Sequence, residues 1–481
     1  MKYLHLLFII CLCSCSSDEP QDNDTTIYVE SIEIFGADIT TGSTTQMTAT
    51  VLPANASNKT IIWKSSDVAI ANVSSTGLVT AKQNGTVTIT GTAADRGTIS
   101  NSTVITISGI TPPINGTIVS TVAELTAALA IVKPGETIVM NGGTYTMTSK
   151  ITISQSGTAT NPISLIANQG ARPKLDFSIQ SESSSNQGIV LTGNYWLIKG
   201  LDIFKAGDNG MQIKGSNNII EFCTFSECAD SGLQIDNGAA NNTILNCDSN
   251  FNADSTLENA DGFACKLNAG TGNKFIGCRA WQNLDDGWDG YLRGTDNITT
   301  TYENCWAIKN GYLKSGAVGK GDGNGFKTGG SDDKLLKHNA TYTNCVAVGN
   351  VTDGFDHNSN RGEVTIYNAS AYQNGRNYSF SNTNPLAKLT LKNCDVLGDY
   401  GSTNATITDV TNNSWQNGLT ATVADFLSID YNQLLNPRKA DGSLPDVTFF
   451  HLTPTSNLID KGVNVGLPYT GSAPDLGAFE F

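Results

Sequence analysis

The sequence predicts an all-β protein in which a right-handed parallel β-helix of roughly ten coils, closed by an N-terminal capping helix, follows a smaller β-rich domain. Three observations lead there. The chain of 481 residues is too long for one typical domain, and its charged fraction is only 15%, with Gly, Asn, Ser and Thr abundant. An Asp, Asn or Ser followed by Gly and a large apolar residue recurs at Gly210, Gly232, Gly262, Gly287, Gly325 and Gly354, at spacings of 22, 30, 25, 38 and 29 residues. A second register places Cys223, Cys247, Cys278, Cys305, Cys345, Ala369 and Cys394 in one column, and Asn252, Asn283, Asn310, Asn350 and Asn374 follow five of them at a constant distance.

From the start of the chain, residues 1–15 carry Lys2, an apolar run from Leu4 to Leu12 and the stretch Leu12 to Cys15, the pattern of a bacterial secretory signal with a lipobox. Cleavage there leaves Cys15 as a lipidated N-terminus, and acylation with more than one chain holds a protein stably on a membrane. The polar tether 16–27 begins with a Ser-Ser-Asp-Glu-Pro stretch that resembles the export tag of Bacteroides-type surface lipoproteins. The expectation is an outer-membrane lipoprotein on the cell surface, a monomer that meets the membrane only through its lipid. A net charge of -15 argues against a nucleic-acid partner.

Residues 28–108 alternate short strands and turns. Trp63, Ile70, Val73, Gly77, Val79, Ala81 and Gly85 resemble the core and turn positions of a group 2 bacterial Ig-like domain. That resemblance implies a β-sandwich, with Trp63 in its core and a spacer role or a weak glycan contact. The second domain is expected over 118–481. It opens with a capping box, Thr121 to Glu124, starting a short amphipathic helix that ends near Pro134 and plugs the solenoid. In the coils, Met211, Leu233, Phe263, Trp288, Phe326 and Phe355 follow the repeated glycines and form an inward stack. Like stacks on like, so the eight cysteines from Cys223 to Cys394 are core thiols rather than disulfides, and the asparagines form a ladder from coil to coil. The Gly- and Pro-rich end packs along the outside.

Strand side chains alternate between faces, so the residues after the inward stack point outward: Gln212, Gln234, Ala264, Asp289, Lys327 and Asp356. Lys266 and Tyr291 share that outward face two positions on. Asp261 and Asp286 precede successive glycines, with Asp285 beside them. Two carboxylates one coil apart repel by roughly 3 kcal/mol at an effective dielectric near 20. Four hard oxygen ligands, Asp261, Asp285, Asp286 and Asp289, without His or Cys suit calcium. Spacing alone leaves open a structural calcium site and a self-contained Asp289 to Lys327 ion pair. Lys266, Lys320, Arg293 and Arg279, the last ranked below Lys266, are candidate contacts for a substrate carboxylate, against the plainer reading of each as a solvated surface charge. Tyr291, Trp281 and Trp306 are candidate sugar platforms. His338 and His357 are too isolated for metal or triad chemistry.

The segments Ala260 to Lys266, Gly277 to Tyr291 and Gly321 to Gly330, in this order, together with Asp475 to Glu480, resemble polysaccharide lyase family 9. Members of that family are calcium-dependent parallel β-helix enzymes that cleave pectic polysaccharides. The resemblance implies that Asp261, Asp285, Asp286 and Asp289 hold calcium and that Lys327 is the base, with the insertion before Lys327 leaving these positions undisturbed. The implied reaction is β-elimination from a galacturonate in homogalacturonan or rhamnogalacturonan I. Lys327 must then be neutral to take the carbon-5 proton, and a neighbouring cation with partial desolvation is expected to depress its pKa. Two other readings remain on the residues: a glycoside hydrolase using two of the aspartates as acid and base, and a non-catalytic surface protein that binds glycans.

Overall fold

A computed structural model describes residues 26–40, 43–108 and 115–481. The signal segment with Cys15, and most of the tether, lie outside the described residues. The chain divides into two compact units, residues 1–113 and 114–481.

In the first unit the strand Ser31–Phe35 pairs antiparallel with Thr48–Leu52, and two three-stranded antiparallel sheets complete the unit. Alternation sends Val79, Val87, Ile89 and Ile105 inward, and half-buried Trp63 packs against this core. Its ring lies over Gly77, whose φ of +83° and lack of a side chain permit the approach.

The second unit opens with the helix Val122–Ile131. Thr121 Oγ1 accepts the Glu124 N–H at 3.2 Å and the Glu124 carboxylate accepts the Thr121 N–H at 3.0 Å, so the capping box forms as the sequence predicts. Leu125, Ala128 and Leu129 are buried at the head of the solenoid core. Three parallel sheets of 12, 10 and 10 strands follow, each coil giving one strand to each sheet. This is the right-handed parallel β-helix.

The inward stack is continuous. Phe263 and Trp288, Trp288 and Phe326, and Phe326 and Phe355 stack with ring centroids 5.1, 4.8 and 5.0 Å apart. All eight described cysteines are buried and free. Six of these thiols, Cys223, Cys247, Cys278, Cys305, Cys345 and Cys394, donate to carbonyls of the preceding coil, as from Cys278 to Ile244 O at 3.3 Å. The asparagine ladder runs Asn252, Asn283, Asn310, Asn350, Asn374 through amide bonds of 2.8, 3.0, 3.0 and 2.8 Å. Beyond Thr411 the chain leaves the sheets. Phe426, Leu434, Phe449, Phe450, Leu458 and Leu476 cover the outward face of the second sheet at Trp306, Ile308, Val346, Val348 and Tyr372.

That cover corrects three assignments. Arg279 points outward from the second sheet, as its register requires, but into the covering segment. It donates to Asp248 at 2.9 and 2.8 Å and to the carbonyls of Leu434 and Asn436. Trp306 is buried there and Trp281 packs against the same cluster, so neither is a sugar platform.

Candidate active site

The third sheet carries the site on its outward face. Register pairs Ala264 with Asp289, Asp289 with Lys327, and Lys327 with Asp356, each one coil from the next. The turns leading into these strands bring Asp261, Asp285 and Asp286 to the same place. One carboxylate oxygen from each lies within 4.8 Å of the others. Asp261 Oδ1 accepts the Asp286 N–H at 3.3 Å, and Asp261 Oδ2 accepts a hydrogen bond from Ser231 Oγ at 2.9 Å. Asp286 Oδ1 accepts two bonds of 2.9 Å from Asn324, its backbone N–H and its amide. Among the described residues, nothing donates a hydrogen bond to the fully buried Asp286 Oδ2, which has the Lys327 ammonium at 3.2 Å.

An orphaned buried carboxylate oxygen among three converging acids fits a divalent cation of the hard, oxygen-loving kind. Asp289, expected as a fourth ligand, is not part of that set. Its Oδ2 is 3.4 Å from Lys266 Nζ, its Oδ1 is 4.0 Å from Lys327 Nζ, and Oδ1 accepts the Tyr291 N–H. Lys266 reaches back to Asp261 at 2.7 Å. Burial, then the neighbouring acids, push the Asp285 carboxyl up to about 7 and that of Asp286 well above its usual range. Burial also raises Asp261, with Lys266 opposing. Burial works against the Asp289 carboxylate too, but Lys327 and Lys266 hold it below the usual range.

Lys327 is held by more acids than the sequence indicated. The insertion before it folds back so that Asp322, five residues upstream, reaches Lys327 Nζ at 2.8 Å, while the Asp322 N–H donates to Asp285 Oδ1. Burial disfavours the ammonium, yet Asp286, Asp289, Asp285 and Asp322 together push Lys327 well above its ordinary pKa. The expected depression is therefore not a property of these residues alone; it requires that the carboxylates be engaged elsewhere. Asp322 carried no repeat signal, because a loop obeys no register. Ser231 and Asn324 occupy the residue before the glycine, a position the repeat does mark.

Lys266, Tyr291, Arg293, Lys320 and Lys327 line one open cleft of about 780 Å³ with Asp285, Asp289 and Asp322. Lys266 is largely enclosed by its aspartates, whereas Arg293 is an exposed side chain paired with Asp332 at 3.3 Å. Lys320 Nζ donates to the Thr256 carbonyl at 3.4 Å. Tyr291 donates its hydroxyl to Asp332 at 2.7 Å, and its ring centroid lies 6.0 Å from Lys327 Nζ. His338 is internal, bonded to Thr300 Oγ1 and the Gly290 carbonyl.

Residues 111–395 match the family described as Pel9A-like, right-handed β-helix region, and residues 36–105 match the group 2 bacterial Ig-like domain. Pectate lyase L of Dickeya chrysanthemi is 38% identical over 379 residues, covering 76% of this chain and 87% of that protein. The crystal structure of pectate lyase Pel9A superposes with a TM-score of 0.68 at 38% identity, over 74% of this chain and 90% of the other. A rhamnogalacturonan lyase follows at TM-score 0.63 and 28% identity, over 70% and 97%. Fold, site and relatives together define an enzyme, a polysaccharide lyase. The chain belongs to the Pel9A-like right-handed β-helix family.

Proposed function

We propose that this lyase cleaves a galacturonate-containing pectic polysaccharide, homogalacturonan or rhamnogalacturonan I, by β-elimination, with calcium as its cofactor. The observation that carries the reading is the convergence of Asp261, Asp285 and Asp286 within 4.8 Å beside Lys327 on consecutive coils, with Asp285 and Lys327 lining one open cleft. Names of relatives support the substrate class: two are called pectate lyase and one rhamnogalacturonan lyase.

Asp261, Asp285 and Asp286 would hold the ion, with Asp289 at their edge. Calcium there would neutralise the uronate carboxylate and stabilise the negative charge that develops at carbon 5. The chain's own residues do the rest. Lys266 holds Asp261 and Asp289 in place and can meet a substrate carboxylate, as can Arg293 and Lys320 at the cleft's rim. Lys327, freed from its carboxylates and neutral, takes the carbon-5 proton. The polymer is an acidic plant cell-wall polysaccharide, met by a monomeric lipoprotein anchored through Cys15 on the outer surface of the cell.

The test is product absorbance over a panel of pectic polysaccharides, with added calcium and with chelator. An unsaturated, ultraviolet-absorbing product is expected with calcium and none with chelator; a saturated product would assign hydrolysis instead. Lys327→Ala is expected to lower turnover by at least about a thousandfold while leaving polymer binding in place.

A further inference from the structure

The cleft beside Lys327 changes character along the coils. Its four basic lining side chains, Lys266, Arg293, Lys320 and Lys327, all follow Ala264 in the chain. Toward the N-terminus the cleft runs on over three more coils, lined by Glu182, Asp208, Asp230 and Asp236 and, among the described residues, by no lysine or arginine. We infer that this half of the cleft is a subsite for a neutral sugar. The polymer it fits is one in which galacturonate alternates with a neutral residue, as in rhamnogalacturonan I, rather than homogalacturonan. This rests on the reading of the acid cluster and Lys327 as the place where a uronate is cleaved.

The floor carries the first argument. Gln212, Gln234 and Ala264 are register partners on successive coils, in one outward row with Asp289 and Lys327. Both glutamines line the cleft and Gln234 is only 4% exposed, yet neither side-chain amide has a hydrogen-bond partner among the described residues. An enclosed, unpaired amide on the floor of a groove calls for a partner that both donates and accepts. Sugar hydroxyls do both, whereas a carboxylate only accepts. The two coils are about 4.8 Å apart, so one sugar ring can offer hydroxyls to both amides.

The walls carry the second. Neutral groups already hold the acids in place. Asp208 accepts from the amides of Gln187 at 2.8 Å and Asn209 at 3.2 Å, and Asp230 from the Ser231 N–H at 2.7 Å. Asp236 accepts from the Asn268 N–H at 3.1 Å, and Glu182 from the Ser255 N–H and hydroxyl at 3.0 Å each. Lys150 and Lys214, basic residues of the neighbouring coils, do not line the cleft. A uronate here would meet like charge with no cation to offset it, while a neutral sugar finds carboxylate lone pairs for its hydroxyls.

Position ties this subsite to the reacting sugar. Asp261 of the acid cluster stands on the coil of Ala264, next to the coil of Gln234. A uronate whose carboxylate meets the cluster therefore has its neighbour, along the N-terminal coils, over Gln234. In homogalacturonan that neighbour is a second uronate; in the alternating polymer it is uncharged.

The test separates binding from turnover. Calcium-loaded Lys327→Ala is titrated calorimetrically with an oligogalacturonide and with an alternating galacturonate and rhamnose oligosaccharide of equal length, and the wild type is assayed for unsaturated product on the two parent polymers. The alternating ligand is expected to bind at least about tenfold more tightly, and its polymer to be cleaved with a kcat/KM at least about tenfold higher. Gln234→Ala in the same background is expected to weaken the alternating ligand at least about fivefold with the thermal midpoint retained. Gln234→Lys supplies the missing cation and is expected to tighten the oligogalacturonide. Equal or tighter binding of oligogalacturonide by the Gln234 form, or equal or faster cleavage of polygalacturonate, overturns the neutral subsite and leaves the lyase reading intact; calcium ions bridging uronates to these acids would give that result. An alternating ligand indifferent to Gln234→Ala overturns it too. If Gln234→Ala lowers the thermal midpoint, Gln234→Lys is read in its place, and an unchanged preference overturns the subsite. Unsaturated product from neither polymer overturns the lyase reading, and the titration still decides the subsite.

Discussion

Asp286 is the residue on which the acid cluster turns, because one of its oxygens is fully used by Asn324 and the other is left without a hydrogen bond in the interior. Replacing it by Asn substitutes an amide for the carboxylate and removes one negative charge. Calcium affinity of Asp286→Asn, followed by calorimetric titration of the full chain, is expected to fall at least about tenfold, with the fold retained. Asp395 is a carboxylate of another kind. It is fully buried against the chain's end, neither oxygen accepts a well-formed hydrogen bond, and burial pushes it up to about 8. Its folded-state pKa lies above the unfolded value. Its contribution to stability is therefore complete below about pH 4 and is lost as the pH rises through 8. Asp395→Asn is expected to match the wild type's thermal midpoint near pH 4 and to exceed it at about pH 8.

At the scale of elements, the asparagine ladder ties the turns together. Asn310 donates to Ala280 O and to Asn350 Oδ1 and accepts from the N–H and amide of Asn283. Asn310→Ala strips all four bonds in a buried place and is expected to cost about 3 kcal/mol or more, seen as a lower thermal midpoint. This ladder, the thiol column and the aromatic stack are legible in the sequence because each obeys the strand period and repeats once per coil. Outward order on the third sheet is legible for the same reason, which puts Asp289 next to Lys327. What period does not encode is where loops and chain ends fold back. The insertion before Lys327 looks neutral in one dimension, yet it delivers Asp322 to the Lys327 ammonium. Arg279 reads as a substrate contact because its outward direction is right, while the segment that covers it lies more than a hundred residues downstream. The four-carboxylate site follows from residue type and spacing; the division into three converging acids and an Asp289 set between two lysines depends on side-chain rotation, which spacing leaves free.

At the scale of the solenoid, its second sheet survives in water because the chain's own end covers it. Removing residues 412–481 would uncover Trp306, Ile308, Val346, Val348 and Tyr372 as one apolar face, and would take Arg438 from the buried Asp248. Truncation there is expected to turn a soluble species into aggregates, checked by size-exclusion chromatography. The third sheet, by contrast, is left uncovered along the row that meets the polymer.

The coils vary from 22 to 38 residues between repeated glycines, yet the strand register of the third sheet is unbroken from Gln212 to Asp356. All the variation is taken up outside the ladder. A turn can thus lengthen or shorten, and rebuild a wall of the cleft, without shifting the strand register of the sheet floor. Chemistry and recognition are thereby separately adjustable, one written in the fixed repeat and the other in the loops between its beats, which makes this scaffold one on which new polymer preferences can arise without re-inventing the catalytic centre.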